Sequence, residues 1–282
     1  MTDKISYQGE PGAFSHAACG EVYPDLEPMA CPTFEDAFEA VEKGAARLAM
    51  IPVENSVAGR VADIHHLLPD SSLSIIAEHF SPVRFNVLAK PGVKLDDIKT
   101  VASHHMALAQ CRKLISARKW AAMREMDTAG AARLVAEGEI RAEAALASAL
   151  AGNIHGLEAL LSDVQDDPEN TTRFIVLARE PVKPPADAPC MTSFLFRVRN
   201  VPAALYKAMG GFATNGVNMT KLESYQIGGR FAATQFYADI EGRPEDLPVS
   251  RALEELGFFT THVRIVGTYP QHIYRRSRAG LP

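Results

Sequence analysis

The chain has 282 residues, more than one small core organises, and its 47% hydrophobic and 22% charged residues are ordinary for a globular protein of two domains. A net charge of -5 argues against nucleic acid or an anionic membrane as partner, so an anionic ligand has to be held by local groups. The opening MTDKISYQGE has no apolar signal core, and no later stretch approaches membrane-spanning length. The 4 cysteines, Cys19, Cys31, Cys111 and Cys190, form no CxxC pair, which predicts reduced thiols and a cytoplasmic location.

Strand and helix patterns alternate through the first 180 residues. KISYQG reads as a strand ending in the turn GEPG, with a helix starting near Ala13 to Ser15. Thr33 is an N-cap with Asp36 behind it, and Phe34, Ala37, Phe38 and Val41 form one apolar stripe before Gly44. RLAMIPV is a buried strand followed by the polar loop ENSVAGR and a short helix; LSIIAEHF and VRFNVLA are further strands. KTVAS leads into one helix from Met106 to Arg118, with Leu108, Cys111, Leu114 and Ile115 on one face. Thr128 caps the next helix, EAALAS is a strand, and RFIVLA closes the series. The order predicts an α/β domain with a largely parallel sheet.

Four prolines between Pro181 and Pro189 mark a linker. Beyond it TSFLFRVRN, a helix from about Pro202 to Thr214, VNMTKLESYQ, RFAATQFYADI, a helix from Leu247 to Leu256, and HVRIVGTY give a ferredoxin-like βαββαβ order. The boundaries are therefore 1–180, a linker at 181–189, a second domain at 190–270 and a basic, frayed tail at 271–282.

Ligands of open α/β sheets sit beyond the carboxyl ends of strands, where loops and helix starts converge. Three loops fit: GEPGAFS with Ser15, VENSVAG with Asn55 and Ser56, and SHHMALAQC with Ser103, His104 and Gln110. Each alone is more often a cap or a turn; their coincidence favours a site. ENTTRFIVLARE adds a polar packet, Asn170 to Arg173, at the mouth of an apolar strand. Arg173 offers a planar fork for a carboxylate and Thr172 a hydroxyl for a leaving oxygen. The adjacent pairs His65-His66 and His104-His105 lack a Cys or Asp cluster to complete a metal set, and no GxSxG elbow accompanies Ser103.

YQGEPGAFSHAA, IPVENSVAGRV, SHHMALAQC, NIHGLEAL and ENTTRFIVLA, in this order, resemble the prephenate dehydratases, and VPAALYKAMGGFATNGVNMTKLES looks like the ACT regulatory domain attached to that enzyme. The resemblance runs from about Lys4 to Tyr269. It implies a two-lobed, type II periplasmic-binding-like catalytic domain that turns prephenate into phenylpyruvate, water and carbon dioxide without a cofactor or metal. It also implies a homodimer or homotetramer formed through the ACT domain, inhibited by phenylalanine. Carried over, the essential hydroxyl is that of Thr172, with Arg173 and Phe174 completing its motif. Asn55, Ser56, Ser103 and Gln110 match polar residues of the substrate cleft, beside which Ser15 and His104 stand. The effector residues are Asn200, Ala203, Ala204, Leu205, Asn218, Glu223 and Ser224. Two departures predict weaker control: Ala203 stands where a Gly is usual, and Tyr225-Gln226 replace an Arg-Pro pair. Arogenate dehydratase fits the same motifs, and a non-catalytic amino-acid-sensing binding protein is the rival of another class.

Overall fold

Buried strands alternate with helices through the first half of the chain, as the apolar runs require. The computed structural model describes residues 3–61, 64–226 and 233–277. In chain order the first elements are β1 (Lys4–Gln8), α1 (Phe14–Val22), β2 (Glu27–Cys31), α2 (Phe34–Glu42), β3 (Leu48–Asn55), β4 (Gly59–Arg60), α3 (Ile64–Leu67), β5 (Ser74–Pro82) and β6 (Asn86–Ala89). Then follow β7 (Thr100–His104), α4 (His105–Gln110), α5 (Arg112–Arg118), β8 (Ala121–Glu125), α6 (Thr128–Glu137), β9 (Ala144–Ala147), α7 (Ala149–His155), β10 (Glu158–Leu161) and β11 (Thr171–Ala178). The remainder comprises β12 (Cys190–Val198), α8 (Ala204–Thr214), β13 (Met219–Gln226), β14 (Ala233–Glu241), α9 (Leu247–Phe259), β15 (Thr260–Pro270) and α10 (Ile273–Ser277). Two units divide the chain: Met1–Val61 with His79–Phe174, and Ala62–Glu78 with Ile175–Pro282.

Two sheets form the lobes of the first unit. One has the order β2-β1-β3-β11-β5 with β4 on β3, the other β10-β6-β9-β7-β8; β5 and β11 run on into the second unit. Parallel pairs occupy one side of each, β1 with β2 and β3, and β7 with β8 and β9. Ile5, Met50, Ile51 and Val101 are buried there. The predicted capping box is formed: Thr33 Oγ1 accepts from Asp36 N–H, and the Asp36 side chain accepts from Thr33 N–H.

Local geometry corrects two expectations. Asp127, not Thr128, caps α6, its carboxylate accepting from Gly130 N–H at 2.7 Å, because a carboxylate on extended backbone suits a helix start. The helix expected from Met106 to Arg118 is two, α4 and α5, separated where Cys111 leaves helical backbone with its side chain in the core.

The lobes meet at Gly12. At φ +97° a Cβ there would lie 2.7 Å from Ala151 Cα, so only glycine lets α7 approach the loop before α1. Ser148 Oγ donates to the Gly12 carbonyl at 2.6 Å in the same place.

In the second unit β12, β13, β14 and β15 form an antiparallel sheet of order β13-β14-β12-β15, the ferredoxin-like arrangement expected from the βαββαβ order. Phe194, Phe196, Phe212, Phe236, Ala252 and Leu256 fill the layer between this sheet, α8 and α9. The strand expected to open at Arg230 is described from Ala233; residues 230–232 lie outside the described residues. Arg243 pins the proline linker by donating to the carbonyls of Pro184, Pro185 and Ala188.

The tail is not frayed as expected. Through Ser277 it forms α10, and Arg275 grips the buried Glu78 carboxylate with Nε at 2.7 Å and Nη2 at 2.9 Å. Residues 278–282 lie outside the described residues. No described helix is long and apolar enough to cross a membrane.

Candidate active site

The end of β3 and the start of β11 lie side by side in opposite directions, with Ser56 N–H on the Thr171 carbonyl at 2.9 Å and Glu54 beside Arg173. This brings ENS against NTTR, two motifs more than 100 residues apart. Asn55 is held first. Its Oδ1 accepts from the N–H groups of Val57 at 3.0 Å and Ala58 at 2.7 Å, an Asx-type turn that determines which end of the amide is oxygen. Nδ2 therefore points the other way and donates to Asn170 Oδ1 at 2.7 Å and Thr172 Oγ1 at 3.0 Å. Asn170 in turn donates from Nδ2 to Gln110 Oε1 at 2.8 Å, joining the last residue of α4 in one lobe to the residue before β11 in the other.

Ser56 clamps the packet from outside. Its hydroxyl donates to the Glu169 carbonyl at 3.2 Å and accepts from Thr171 N–H at 3.0 Å. His104 caps α4, its Nδ1 accepting from Met106 N–H at 3.4 Å. Burial and the neighbouring His105 push its pKa down, against a smaller opposite pull from Asp127. The ring is neutral at neutral pH, and with Nδ1 accepting, its proton sits on Nε2 as a donor. Ser15, the second residue of α1, is buried. Burial pushes the thiols of Cys19 and Cys111 up to about 12, which leaves them as apolar filler.

Three predicted contacts stand differently. Ser103 is fully buried and donates to the Leu146 carbonyl at 2.6 Å, so its hydroxyl ties β7 to β9 instead of facing a ligand. Phe174 is a core side chain, 1% exposed, out of reach of a ligand. Arg173 is 2% exposed and its Nη1 lies 2.9 Å from Glu54 Oε1, so one arm of the expected fork is engaged within the protein. Sequence reasoning missed Asn170 as a site residue, naming it only within the polar packet; its 1% exposure at a polar strand mouth is visible only in the fold.

Within the second unit a cavity of about 500 Å³ is lined by Asn200, Ala203, Ala204, Leu205, Leu222 and Ser224 among others. Five of the expected effector residues are thus together. Glu223 is not among the lining, because neighbours on a strand face opposite ways: Leu222 and Ser224 line the cavity while Glu223 pairs with Lys221 at 3.2 Å. Asn218, which precedes β13, also lies outside the lining, its carbonyl accepting from Glu241 N–H at 3.0 Å. Ala203 opens α8 with φ +61°, a left-handed conformation natural to glycine.

Residues 5–182 match the prephenate dehydratase family. Over 273 residues the chain is 48% identical to the bifunctional N-acyl-homoserine lactone acylase/prephenate dehydratase of Komagataeibacter europaeus, spanning 96% of this chain and 97% of that one. It is 38% identical over 283 residues to arogenate dehydratase 2 of Petunia hybrida, spanning 95% and 71% respectively. The solved prephenate dehydratase of Arthrobacter aurescens, in complex with L-Phe, matches with a TM-score of 0.88 at 31% identity over 95% of this chain and 90% of that one. These matches define an α/β lyase. The chain belongs to the prephenate dehydratase family, whose members catalyse a dehydration coupled to decarboxylation.

Proposed function

We propose that the protein converts prephenate to phenylpyruvate, water and carbon dioxide, with Thr172 assisting departure of the ring hydroxyl. The observation that carries this is the 3.0 Å bond from Asn55 Nδ2 to Thr172 Oγ1. Because the oxygen of Thr172 accepts, its O–H is turned to donate, which is what a departing oxygen needs. The carboxylate C–C pair enters the ring as carbon dioxide leaves, the C–O bond breaks toward oxygen, and that oxygen takes one proton to leave as water. Aromatisation supplies the driving force, and a preorganised donor at the leaving oxygen is worth about 100-fold or more in rate. Thr172 is a weak acid, so it acts by hydrogen bonding while the proton comes from solvent.

Gln110, His104, Ser56 and Ser15 are the proposed polar neighbours of the substrate. Arg173 is proposed to hold a substrate carboxylate through its guanidinium N–H groups. Residues 1–180 form the catalytic domain in this reading, 181–189 the linker, and 190–270 an ACT domain. Its ferredoxin-like sheet and the cavity beside Ala203 support that assignment, as does the L-Phe in the Arthrobacter relative. Phenylalanine is the proposed effector, the assembly a homodimer or homotetramer, and the location cytoplasmic.

The Petunia relative favours arogenate as a second substrate, and the Komagataeibacter relative favours hydrolysis of an N-acyl-homoserine lactone as a second activity. Comparing kcat/KM for prephenate and arogenate, with acyl-homoserine lactone in a parallel assay, tests the proposal. The expected result is prephenate turnover at the higher kcat/KM; preference for arogenate or turnover of the lactone alone contradicts it.

A further inference from the structure

The hydrogen-bond chain Gln110–Asn170–Asn55–Thr172 has a direction, and the backbone sets it. Val57 and Ala58 N–H groups hold Asn55 Oδ1, so Asn55 Nδ2 donates toward Asn170 Oδ1 at 2.7 Å and Thr172 Oγ1 at 3.0 Å, both nearer than the Thr171 carbonyl at 3.3 Å. Asn170 Oδ1 accepts that donation, which leaves Asn170 Nδ2 as the end facing Gln110 Oε1. Gln110 is thereby turned so that its Nε2 has no acceptor among the described residues, and neither has the Thr172 hydroxyl proton. Two donors, one from each lobe, are left to meet acceptor oxygens. Asn170 is the link between them, 1% exposed, and an amide that alone supplies both an acceptor to one neighbour and a donor to the other.

We infer that Asn170 is a positioning residue for the reaction: it polarises this chain so that Gln110 and Thr172 both present N–H or O–H to the substrate. Asn170 itself touches no reacting atom. The inference rests on the proposed role of Thr172. Leucine at this position has similar volume and no polarity, and abolishes both bonds. Aspartate distinguishes positioning from packing. Protonated, it accepts from Asn55 and donates to Gln110 as the native amide does. Ionised, it has no proton to give, so Gln110 must turn its Nε2 inward and aim Oε1 at the substrate, acceptor against acceptor.

The test measures kcat at saturating prephenate for wild type, Asn170→Leu and Asn170→Asp between about pH 4 and 8, the window of a carboxyl group raised by burial. Spontaneous conversion is subtracted. Uniform repulsion of the anionic substrate by Asp appears in KM, so kcat isolates positioning. Asn170→Leu is expected to lose about 10- to 100-fold in kcat, on the scale of one misplaced donor. The kcat of Asn170→Asp relative to wild type is expected to rise at least about threefold as pH falls through that window, and to flatten at both ends. A leucine variant within about twofold of wild type, or a folded Asp variant whose relative kcat is independent of pH, overturns the inference. If the leucine variant fails to fold, the Asp profile decides alone. Wild-type turnover with a flat Asp profile removes only the role of Asn170; wild-type inactivity on both prephenate and arogenate removes the functional reading and this inference together.

Discussion

The guanidinium of Arg173, 2% exposed, lies 2.9 Å from the carboxylate of Glu54, 34% exposed, so a group read from sequence as a ligand fork is also half of a partly buried ion pair. Both roles need the planar guanidinium. Arg173→Lys is expected to raise KM for prephenate about 10-fold with a smaller loss in kcat, because a point charge cannot bind two partners in one plane. It also lowers the melting midpoint, since the buried guanidinium loses its planar pairing with Glu54. Steady-state kinetics and calorimetry on the same preparation check this. A folded variant with unchanged KM leaves Arg173 no part in substrate binding.

Arg275 and Glu78 make a stability prediction within the second unit. The Glu78 side chain is 0% exposed and receives Nε and Nη2 of Arg275 together with the N–H of His272. Arg275→Ala removes the guanidinium from a buried carboxylate and is expected to cost about 3–5 kcal/mol of unfolding free energy. Adding Glu78→Leu to it is expected to restore most of that loss. Denaturant unfolding of the single and double variants checks both, and a single variant as stable as wild type contradicts the account.

Ala203 carries a conformational penalty at the mouth of the candidate effector cavity, at φ +61°. Ala203→Gly relieves roughly 1 kcal/mol of left-handed strain, offset by the extra freedom glycine has in the unfolded chain. The expected result is a small rise in melting midpoint and tighter phenylalanine binding by calorimetry, because backbone can approach the ligand more closely. Weaker phenylalanine binding by the glycine variant contradicts the reading of this loop.

Stability is expected to fall in mild acid. His16 and His104 both have pKa values lowered chiefly by burial, and in both Nδ1 accepts a backbone N–H, a bond only the neutral ring can make. A folded pKa below the unfolded value means their contribution is complete above about pH 6.5 and is lost as pH falls through the folded value. Melting curves from about pH 7.5 to 5 are expected to show a decline that the double variant His16→Asn, His104→Asn reduces. Equal slopes in both proteins contradict it.

Local signals carried most of the element order. The Thr33–Asp36 box, the proline linker and the βαββαβ repeat need only neighbouring residues to be read. The break at Cys111 has no Gly or Pro to announce it, so α4 and α5 read as one helix. Glu223 and Ser224 belong to one sequence motif, whereas strand alternation separates Glu223 from the cavity. Distance in sequence hid the rest. Gln110 meets Asn170 across 60 residues, and α10 is held by a glutamate 197 residues before Arg275. No pattern within the tail itself predicts that partner.

The most direct test of the central claim is kcat of Thr172→Val on prephenate. Valine keeps the shape of threonine and the packing of β11 but deletes the hydroxyl that Asn55 orients. A loss of about 100-fold or more in kcat is expected, with the melting midpoint nearly unchanged. A folded variant whose kcat stays within about threefold of wild type contradicts it, and would make the Thr172 hydroxyl a structural partner of Asn55 with no part in the departure of water.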